Sequence, residues 1–359
     1  MRLCHAIPSL LLILAGCGGA IYTHLDPSLV VTNTPDPSLT FLHTFGDSIT
    51  AGYKLTDLSQ SYVALTATYN NLRYTNYSFG GDQACDVPRR QIFGHGESPT
   101  LARRGLYTLL IGTNDVAFKG AGPAEAVFNL CDQAAIAWLA IPQEFKVLAT
   151  APTVSTFGPT HFDYSNNWNA EVTDAQGASV TFPIRTTASG AIYIWYRIID
   201  GNPGIFTYSL DGAVLGTRTT ATTPVLRTLN GEVDSLALLR LPAVPAGSHT
   251  ITLTQTSAGL AGLGVVAVGM PPAGNPSELS KVVVGKIPPE LNDADLQTRL
   301  LYTADIVGNV TLLAQDGLPV ALFDPPHYMS GTTVDMNDTL HPNAVGNREI
   351  YKAVEGSLP

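Results

Sequence analysis

The residues that could carry out chemistry lie near the two ends of the chain. Gly46-Asp47-Ser48 directly follows the apolar run Phe41–Phe45, which predicts a short strand leading into a tight turn with a serine hydroxyl at its tip. A serine is a weak nucleophile until a base takes up its proton. Asp338 and His341 could supply the orienting carboxylate and that base. Serine, aspartate and histidine in these roles carry out acyl transfer.

Four short blocks, which include these residues, occur in the chain in a definite order. They are Gly46-Asp47-Ser48, Asn76-Tyr77-Ser78-Phe79-Gly80-Gly81-Asp82, Gly112-Thr113-Asn114-Asp115 and Asp338-x-x-His341-Pro342. Each block alone is unspecific, but all four in order, each in a loop or at the end of an apolar run, form a specific combination. The chain therefore resembles the SGNH (GDSL-type) hydrolases, and the resemblance covers its α/β portion only.

The resemblance implies a role for each of these side chains. Ser48 would be the nucleophile, His341 the general base, and Asp338 the group that orients the imidazole. The backbone N–H groups of Ser48 and Gly81 and the side-chain amide of Asn114 would form the oxyanion hole. No metal or organic cofactor is implied. Taken without the other blocks, Gly81 could serve a plain turn and Asn114 could cap a helix.

A metal site is the main rival interpretation of the C-terminal cluster. Carboxylate and imidazole groups that could bind a divalent ion fall within one short stretch, at Asp324, His327, Asp335, Asp338 and His341. A metal site would leave Ser48 and Asn114 without a role. Asp82 could contact substrate, although a solvated ion pair with a neighbouring arginine is the favoured interpretation.

The composition limits the classes of function. The chain has 359 residues, 45% of them hydrophobic, which is ample for two domains. Only 13% are charged and the net charge is −10, which argues against a nucleic-acid partner, since such surfaces cluster lysine and arginine.

The N-terminus is typical of an export signal. Arg2 precedes the apolar segment Ile7–Leu14, which is too short to span a bilayer. The segment ends in Leu14-Ala15-Gly16-Cys17, which resembles a bacterial lipobox and implies a lipid on Cys17. We therefore expect an exported bacterial lipoprotein that faces the periplasm or the cell surface and touches the membrane through its lipid anchor only. An ordinary secretory signal is the alternative.

Export places Cys85 and Cys131 in an oxidising compartment, where a disulfide between them is plausible. The family fold implied by the resemblance brings their regions near one another. Two separate buried thiols are the alternative.

The pattern along the chain predicts an SGNH-like three-layer α/β/α sandwich with a parallel central sheet, interrupted by an inserted all-β domain. Short apolar runs alternate with helical stretches over 40–143 and again over 277–359, which together form the discontinuous catalytic domain. Residues 144–276 show short alternating strands and repeated turn signals, which indicate a jelly-roll-like sandwich resembling a carbohydrate-binding module. Residues 1–16 are predicted as the lipoprotein signal, and 17–39 as a linker.

One strand of the insert could present a sugar-binding platform. Along Ala191–Ile199, Tyr193, Trp195 and Arg197 share one face, and Ile192, Ile194 and Ile198 lie on the other. The aromatic face could stack on sugar rings or pack against the catalytic domain. A strand buried on both faces is the alternative. Trp168 is a further candidate for the same platform.

The predicted function is a serine esterase that hydrolyses short acyl esters, acetyl above all, on an acylated glycan or a smaller alcohol. Three alternatives remain open, namely a GDSL lipase or lysophospholipase, an O-acetyltransferase, and a surface glycan-binding protein without catalysis. The presence of Ser48, His341 and Asn114 argues against the last of these.

Overall fold

The computed structural model describes residues 37–94, 104–163, 170–201, 204–221, 226–258, 262–272, 279–293 and 295–358. The predicted signal segment, Cys17 and Trp168 lie outside these residues, so their roles stay predictions. Among the described helices, none has both the length and the apolar character needed to cross a membrane.

The described chain falls into three successive segments. The first contains β1 (Phe41–Gly46), α1 (Tyr62–Tyr69), β2 (Arg73–Asn76), β3 (Gly105–Leu110), α2 (Thr113–Lys119) and α3 (Pro123–Ala140). The second contains strands β4 (Lys146–Leu148), β5 (Ser155–Phe157), β6 (His161–Asp163), β7 (Ala170–Thr173), β8 (Ser179–Thr186), β9 (Gly190–Ile199), β10 (Ile205–Leu210), β11 (Ala213–Thr219), β12 (Asp234–Val244), β13 (Gly247–Gln255) and β14 (Leu263–Gly269). The third contains β15 (Lys281–Gly285), α4 (Leu296–Gln315), β16 (Val320–Phe323), α5 (Pro325–Tyr328) and α6 (Ala344–Ser357). Single helical turns lie at Leu58–Gln60, Val87–Ile92, Gln143–Phe145 and Leu291–Asp293.

The first and third segments share a parallel sheet with the strand order β16-β15-β3-β1-β2. Its central strands are apolar on both sides because helices cover both faces. In β15, Val283 packs on the side of α1 and α6, whereas Val282 and Val284 pack on the side of α3 and α4. This arrangement confirms the predicted α/β/α layers.

The second segment forms a β-sandwich of two antiparallel sheets. One sheet has the order β11-β10-β13-β8-β5, and the other has the order β12-β9-β14-β7-β6, with β4 paired to β14. The predicted all-β insertion is therefore confirmed, and Lys146–Leu148 is hydrogen-bonded to the sandwich rather than to the parallel sheet.

The sandwich packs on α3, and this contact corrects the predicted sugar platform. Tyr193 and Trp195 are both fully buried. The Trp195 indole N–H donates to the carbonyl of Ala134, and its ring meets Trp138 edge-on with centroids 5.1 Å apart. The Tyr193 hydroxyl lies 2.5 Å from a carboxylate oxygen of Asp316. The platform prediction is wrong for these two aromatic residues, because their large apolar surface is buried between the two domains and no sugar can reach it.

Candidate active site

Ser48 lies in the turn that follows β1, at the carboxyl end of the parallel sheet. Gly46 begins the turn with a φ of +155°, and a Cβ there would lie 2.3 Å from the carbonyl oxygen of Leu110, so only glycine fits. The carboxylate of Asp47 then accepts the backbone N–H of Ile49 at 2.9 Å, which tightens the turn around Ser48.

The structure brings Ser48, His341 and Asp338 into a continuous hydrogen-bonded chain. Ser48 Oγ lies 2.9 Å from His341 Nε2, although the two residues are 293 positions apart in sequence. His341 Nδ1 lies 2.9 Å from each carboxylate oxygen of Asp338. The ring of Tyr53 meets the His341 imidazole with centroids 4.7 Å apart, at the open side of the site. A base within hydrogen-bonding distance of a serine, itself oriented by a carboxylate, has the geometry that activates a nucleophile.

The short spacing of Asp338 and His341 has a local cause. One oxygen of the Asp338 carboxylate accepts the backbone N–H groups of Leu340 and His341, at 2.9 and 2.8 Å, so the loop folds around the carboxylate. Burial alone would raise the pKa of Asp338, but these two bonds and the imidazole outweigh it and hold the pKa below its ordinary value. The carboxylate is therefore ionised at neutral pH and favours the tautomer that carries its proton on Nδ1.

The predicted oxyanion donors Gly81 and Asn114 lie in the loop after β2 and in the first turn of α2. Gly81 has a φ of +81°, and a Cβ placed on the preceding Gly80 would be 3.9 Å from the Ser48 Cβ. Asn114 is the second residue of α2, whose N-cap is Gly112, so it does not cap the helix. Its side-chain amide donates one hydrogen bond to the carbonyl of Asp82 at 2.8 Å. The second N–H of the amide could donate a hydrogen bond to an oxyanion.

Asp82 connects these loops beneath the site. Its side chain is fully buried, so the expectation of a solvated ion pair is wrong. The carboxylate accepts hydrogen bonds from Arg90 on one oxygen and from Gln91 Nε2 on the other, the latter at 2.7 Å. Gln91 also bonds both the N–H and the carbonyl of Gly46, at 2.9 and 2.7 Å. Burial raises the pKa of Asp82 to about 7.

Two further links hold the loop that carries Gly81. The carboxylate of Asp115 accepts the backbone N–H of Ala84 at 3.0 Å. Cys85 and Cys131 form a disulfide that ties this loop to α3. The loop that carries Gly81 is therefore attached to α2 by a hydrogen bond and to α3 by a disulfide.

The comparison with known families agrees with this geometry. The GDSL-like lipase/acylhydrolase family model matches residues 44–182, which contain Ser48, Gly81 and Asn114. The chain carries a GDSL-like segment over these residues. It is accordingly an ester hydrolase of the GDSL type, and its remaining site residues, Asp338 and His341, lie outside the matched range. No curated protein matches the chain significantly.

Several solved structures resemble parts of this GDSL-type hydrolase. A two-domain esterase active on acetylated mannans has 11% identity, with 66% of this chain and 92% of that chain covered and a TM-score of 0.37. A lipolytic protein of the G-D-S-L family from Veillonella parvula has 13% identity, with 88% and 97% covered and a TM-score of 0.41. A family 35 carbohydrate-binding module from Clostridium thermocellum has 12% identity, with 34% and 96% covered and a TM-score of 0.26. These scores are too low to carry an argument about the activity or ligand of this chain.

The sandwich of this GDSL-type hydrolase also reaches the site. In the segment between β11 and β12, the backbone N–H of Leu229 donates to Gln83 Oε1 at 3.0 Å, and Asn230 Nδ2 donates to Asp82 at 2.7 Å. The same Gln83 lies within 3.4 Å of the backbone carbonyl of Asn114. The inserted domain thus contacts the loops that carry the predicted oxyanion donors.

A cavity of about 450 Å³ opens between this segment and α2. Its lining mixes apolar and polar side chains from both domains, namely Gln83, Phe118, Lys119, Ala121, Pro123, Ala124, Arg227, Thr228 and Leu229. The volume is within the range of small-molecule sites. Gln83 lines the cavity and donates to the backbone carbonyl of Asn114, whereas Ser48, His341 and the predicted oxyanion donors are not among the lining residues.

The other members of the C-terminal cluster have separate partners. Asp324 pairs with Lys286 at 2.5 Å, and Asp335 accepts the backbone N–H groups of Ser330 and Thr332 within its own loop. Across the described ranges, no three histidine, cysteine, aspartate or glutamate side chains converge as metal ligands would. Within this C-terminal cluster, His341 is hydrogen-bonded to Ser48 and Asp338 is hydrogen-bonded to His341.

Sequence reasoning missed Gln91, Tyr53 and Asn230. Gln91 and Asn230 belong to no recognised block, and their roles depend on contacts across 45 and 148 positions. The Asn230-Gly231 turn signal was visible in the sequence, but nothing in it indicates that the turn meets the catalytic domain.

Proposed function

We propose that this hydrolase removes short acyl groups, acetyl above all, from carbohydrate through an acyl-Ser48 intermediate. The observation that carries the proposal is the chain from Ser48 Oγ through His341 to Asp338, with 2.9 Å at each step. The same geometry would serve other acyl transfers, so the substrate class rests on the surroundings of the triad.

The proposed reaction has two halves. Ser48 Oγ attacks the ester carbonyl carbon while His341 Nε2 takes its proton, and the resulting oxyanion accepts hydrogen bonds from Ser48 N–H, Gly81 N–H and Asn114. Collapse of this intermediate breaks the bond to the alcohol, which leaves with the proton from His341. A water molecule then attacks the acyl-serine, with His341 again as the base, and releases the acid and free Ser48.

The leaving alcohol must lie beside His341, because this residue protonates it. Tyr53 stands at that position and its side chain is 54% exposed. An exposed aromatic ring next to the departing oxygen can stack on the apolar face of a sugar. The cavity lined by both domains has four polar side chains, which can bond to sugar hydroxyl groups, and five apolar ones, so its lining does not by itself favour a sugar over an alkyl chain.

The first test measures hydrolysis of 4-nitrophenyl acetate, butyrate, octanoate and palmitate, with Ser48→Ala as the control. We expect turnover of the two shorter esters, abolished in the Ser48→Ala variant. Preference for palmitate would instead identify a lipase, and the absence of Ser48-dependent turnover would reject the esterase proposal.

The second test measures acetate released from acetylated mannan and xylan by the wild type and by Tyr53→Ala. We expect a higher KM for the polymers in the variant and an unchanged KM for 4-nitrophenyl acetate. Tyr74→Ala removes an equally exposed tyrosine from β2 and serves as the matched control. If transfer of the acetyl group from Ser48 to an added sugar hydroxyl outcompeted hydrolysis by water, the protein would be an O-acetyltransferase.

The location of the protein is also a proposal. A lipid on Cys17 would hold the hydrolase at a membrane surface facing the periplasm or the cell exterior. Metabolic labelling with an alkyne fatty acid tests it, because Cys17→Ala should lose the label.

A further inference from the structure

We propose that Asn230, supplied by the inserted sandwich, is a positioning residue for the oxyanion hole and acts through the carboxylate of Asp82. The inference rests on the proposed esterase function of the same site. It gives the sandwich a part in the reaction beyond binding of substrate.

The first step of the argument is the position of Asp82 among the predicted oxyanion donors. It follows Gly81 directly in the chain, and its backbone carbonyl holds the amide of Asn114 at 2.8 Å. Its carboxylate accepts a hydrogen bond from Gln91, and Gln91 is also hydrogen-bonded to the backbone of Gly46, two residues before Ser48. A rotation or shift of Asp82 would therefore move all three donor groups together.

The second step is the way in which the Asp82 carboxylate is held. Oδ2 accepts from Gln91 at 2.7 Å, and Oδ1 accepts from Arg90 and from Asn230 Nδ2, the latter at 2.7 Å. Arg90 and Gln91 belong to the catalytic domain, whereas Asn230 approaches from the sandwich. Asn230 is one of the two donors on Oδ1, so losing it weakens the restraint on this carboxylate.

The third step is the rigidity of the turn that presents Asn230. Thr228 and Glu232 bond each other across the turn, with Thr228 N–H to Glu232 O at 2.9 Å, and Gly231 N–H donates to Thr228 O at 3.0 Å. Gly231 has a φ of +86°, which the turn requires. The turn thus offers the amide in a fixed direction.

The fourth step is that the Asn230 amide is not needed to hold its segment on the catalytic domain. The Asn230 side chain is exposed, and a Cβ on Gly81 would lie 3.9 Å from its amide, so it faces the cleft rather than the core. The segment is also held by Leu229 on Gln83 and by the ion pair of Arg89 with Glu232 at 2.8 Å. Removal of the Asn230 amide should therefore leave the segment docked.

The experiment compares the full-length wild type with Asn230→Ala in two assays, turnover of 4-nitrophenyl acetate and the rate of Ser48 phosphonylation by a fluorophosphonate. We expect kcat and the phosphonylation rate to fall about tenfold, with KM changed less than about twofold, because the oxyanion forms only after substrate is bound. Asn230→Asp keeps the shape of the side chain but removes the donor, so it should lose at least as much. It also provides the readout if Asn230→Ala does not fold.

The control is Glu232→Gln, which removes the Arg89 ion pair and keeps the Asn230 amide. We expect wild-type kcat in this variant. Wild-type kcat in Asn230→Ala and Asn230→Asp, or an equal loss in Glu232→Gln, would overturn the positioning role while leaving the esterase proposal intact. A wild type that neither hydrolyses esters nor reacts with the fluorophosphonate would reject the esterase proposal itself.

Discussion

The indole N–H of Trp195, in the sandwich, donates to the main-chain carbonyl of Ala134, in the catalytic domain, at 3.0 Å. That carbonyl lies within α3, so the bond joins a strand of one domain to a helix of the other. The buried residues around this contact form one continuous apolar cluster that extends from the parallel sheet into the sandwich. The inserted domain is therefore part of the structural core of the hydrolase.

We expect Trp195→Ala to destabilise the whole protein by roughly 3–5 kcal/mol, because it opens a cavity at the domain contact and leaves the Ala134 carbonyl without this donor. Urea unfolding monitored by circular dichroism and by esterase activity measures the change. Both probes should report one shared transition. Two separated transitions in the wild type would contradict the common core.

Asp338→Asn should lower kcat by roughly 10³–10⁴ while leaving residual activity, because the amide no longer holds the imidazole in the productive tautomer. His341→Ala and Ser48→Ala should abolish Ser48-dependent turnover. Steady-state kinetics with 4-nitrophenyl acetate measures the three variants, and near-wild-type rates in His341→Ala would contradict the assignment of the base.

Asn114→Ala should lower kcat by roughly 10²–10³ if its amide stabilises the oxyanion. The matched control is Asn309→Ala, which removes a buried asparagine that donates to Asp132 between α3 and α4, away from Ser48. The control should lower stability and keep kcat. Equal kcat losses in the two variants would mean that Asn114 acts through the fold alone.

Loss of the disulfide in a Cys85→Ser, Cys131→Ser double variant should destabilise the protein by about 4 kcal/mol, since the bond closes a loop of 46 residues. It should also lower kcat, because the loop with Gly81 loses its tether to α3. Chemical denaturation and kinetics of the variant measure the two effects. Unchanged kcat in a folded variant would show that the remaining links suffice to hold the loop.

Asp132 should make stability depend on pH. Burial raises its pKa from 3.8 to about 7, so the folded state binds the proton more tightly than the unfolded chain does. The stabilising contribution of the protonated form is complete below about pH 4 and is lost as the pH rises through about 7. Asp132→Asn should therefore be more stable than the wild type at pH 8, on the order of 1–3 kcal/mol, and similar to it near pH 4. Urea denaturation at pH 4 and pH 8 measures the free energy of unfolding of both proteins. An equal difference between variant and wild type at the two pH values would refute the prediction.

The local parts of the site could be predicted from the sequence by itself. The strand before Ser48, the loop around Asp338 and His341, and the alternating strands of the insert depend on neighbouring residues, whose spacing determines turns and buried faces. The four blocks also indicated the α/β fold of the catalytic domain, because their residue types are required by local geometry and chemistry.

The tertiary structure alone decided which surfaces meet. The alternation in β9 showed that Tyr193 and Trp195 share a face, but both packing on α3 and exposure to sugar satisfied that pattern. In the same way, nothing local distinguishes Asn230 from any other residue of an Asn-Gly turn. Its bond to Asp82 exists because the two domains bury apolar surface against each other, and that free energy is summed over many distant residues rather than encoded near any one of them.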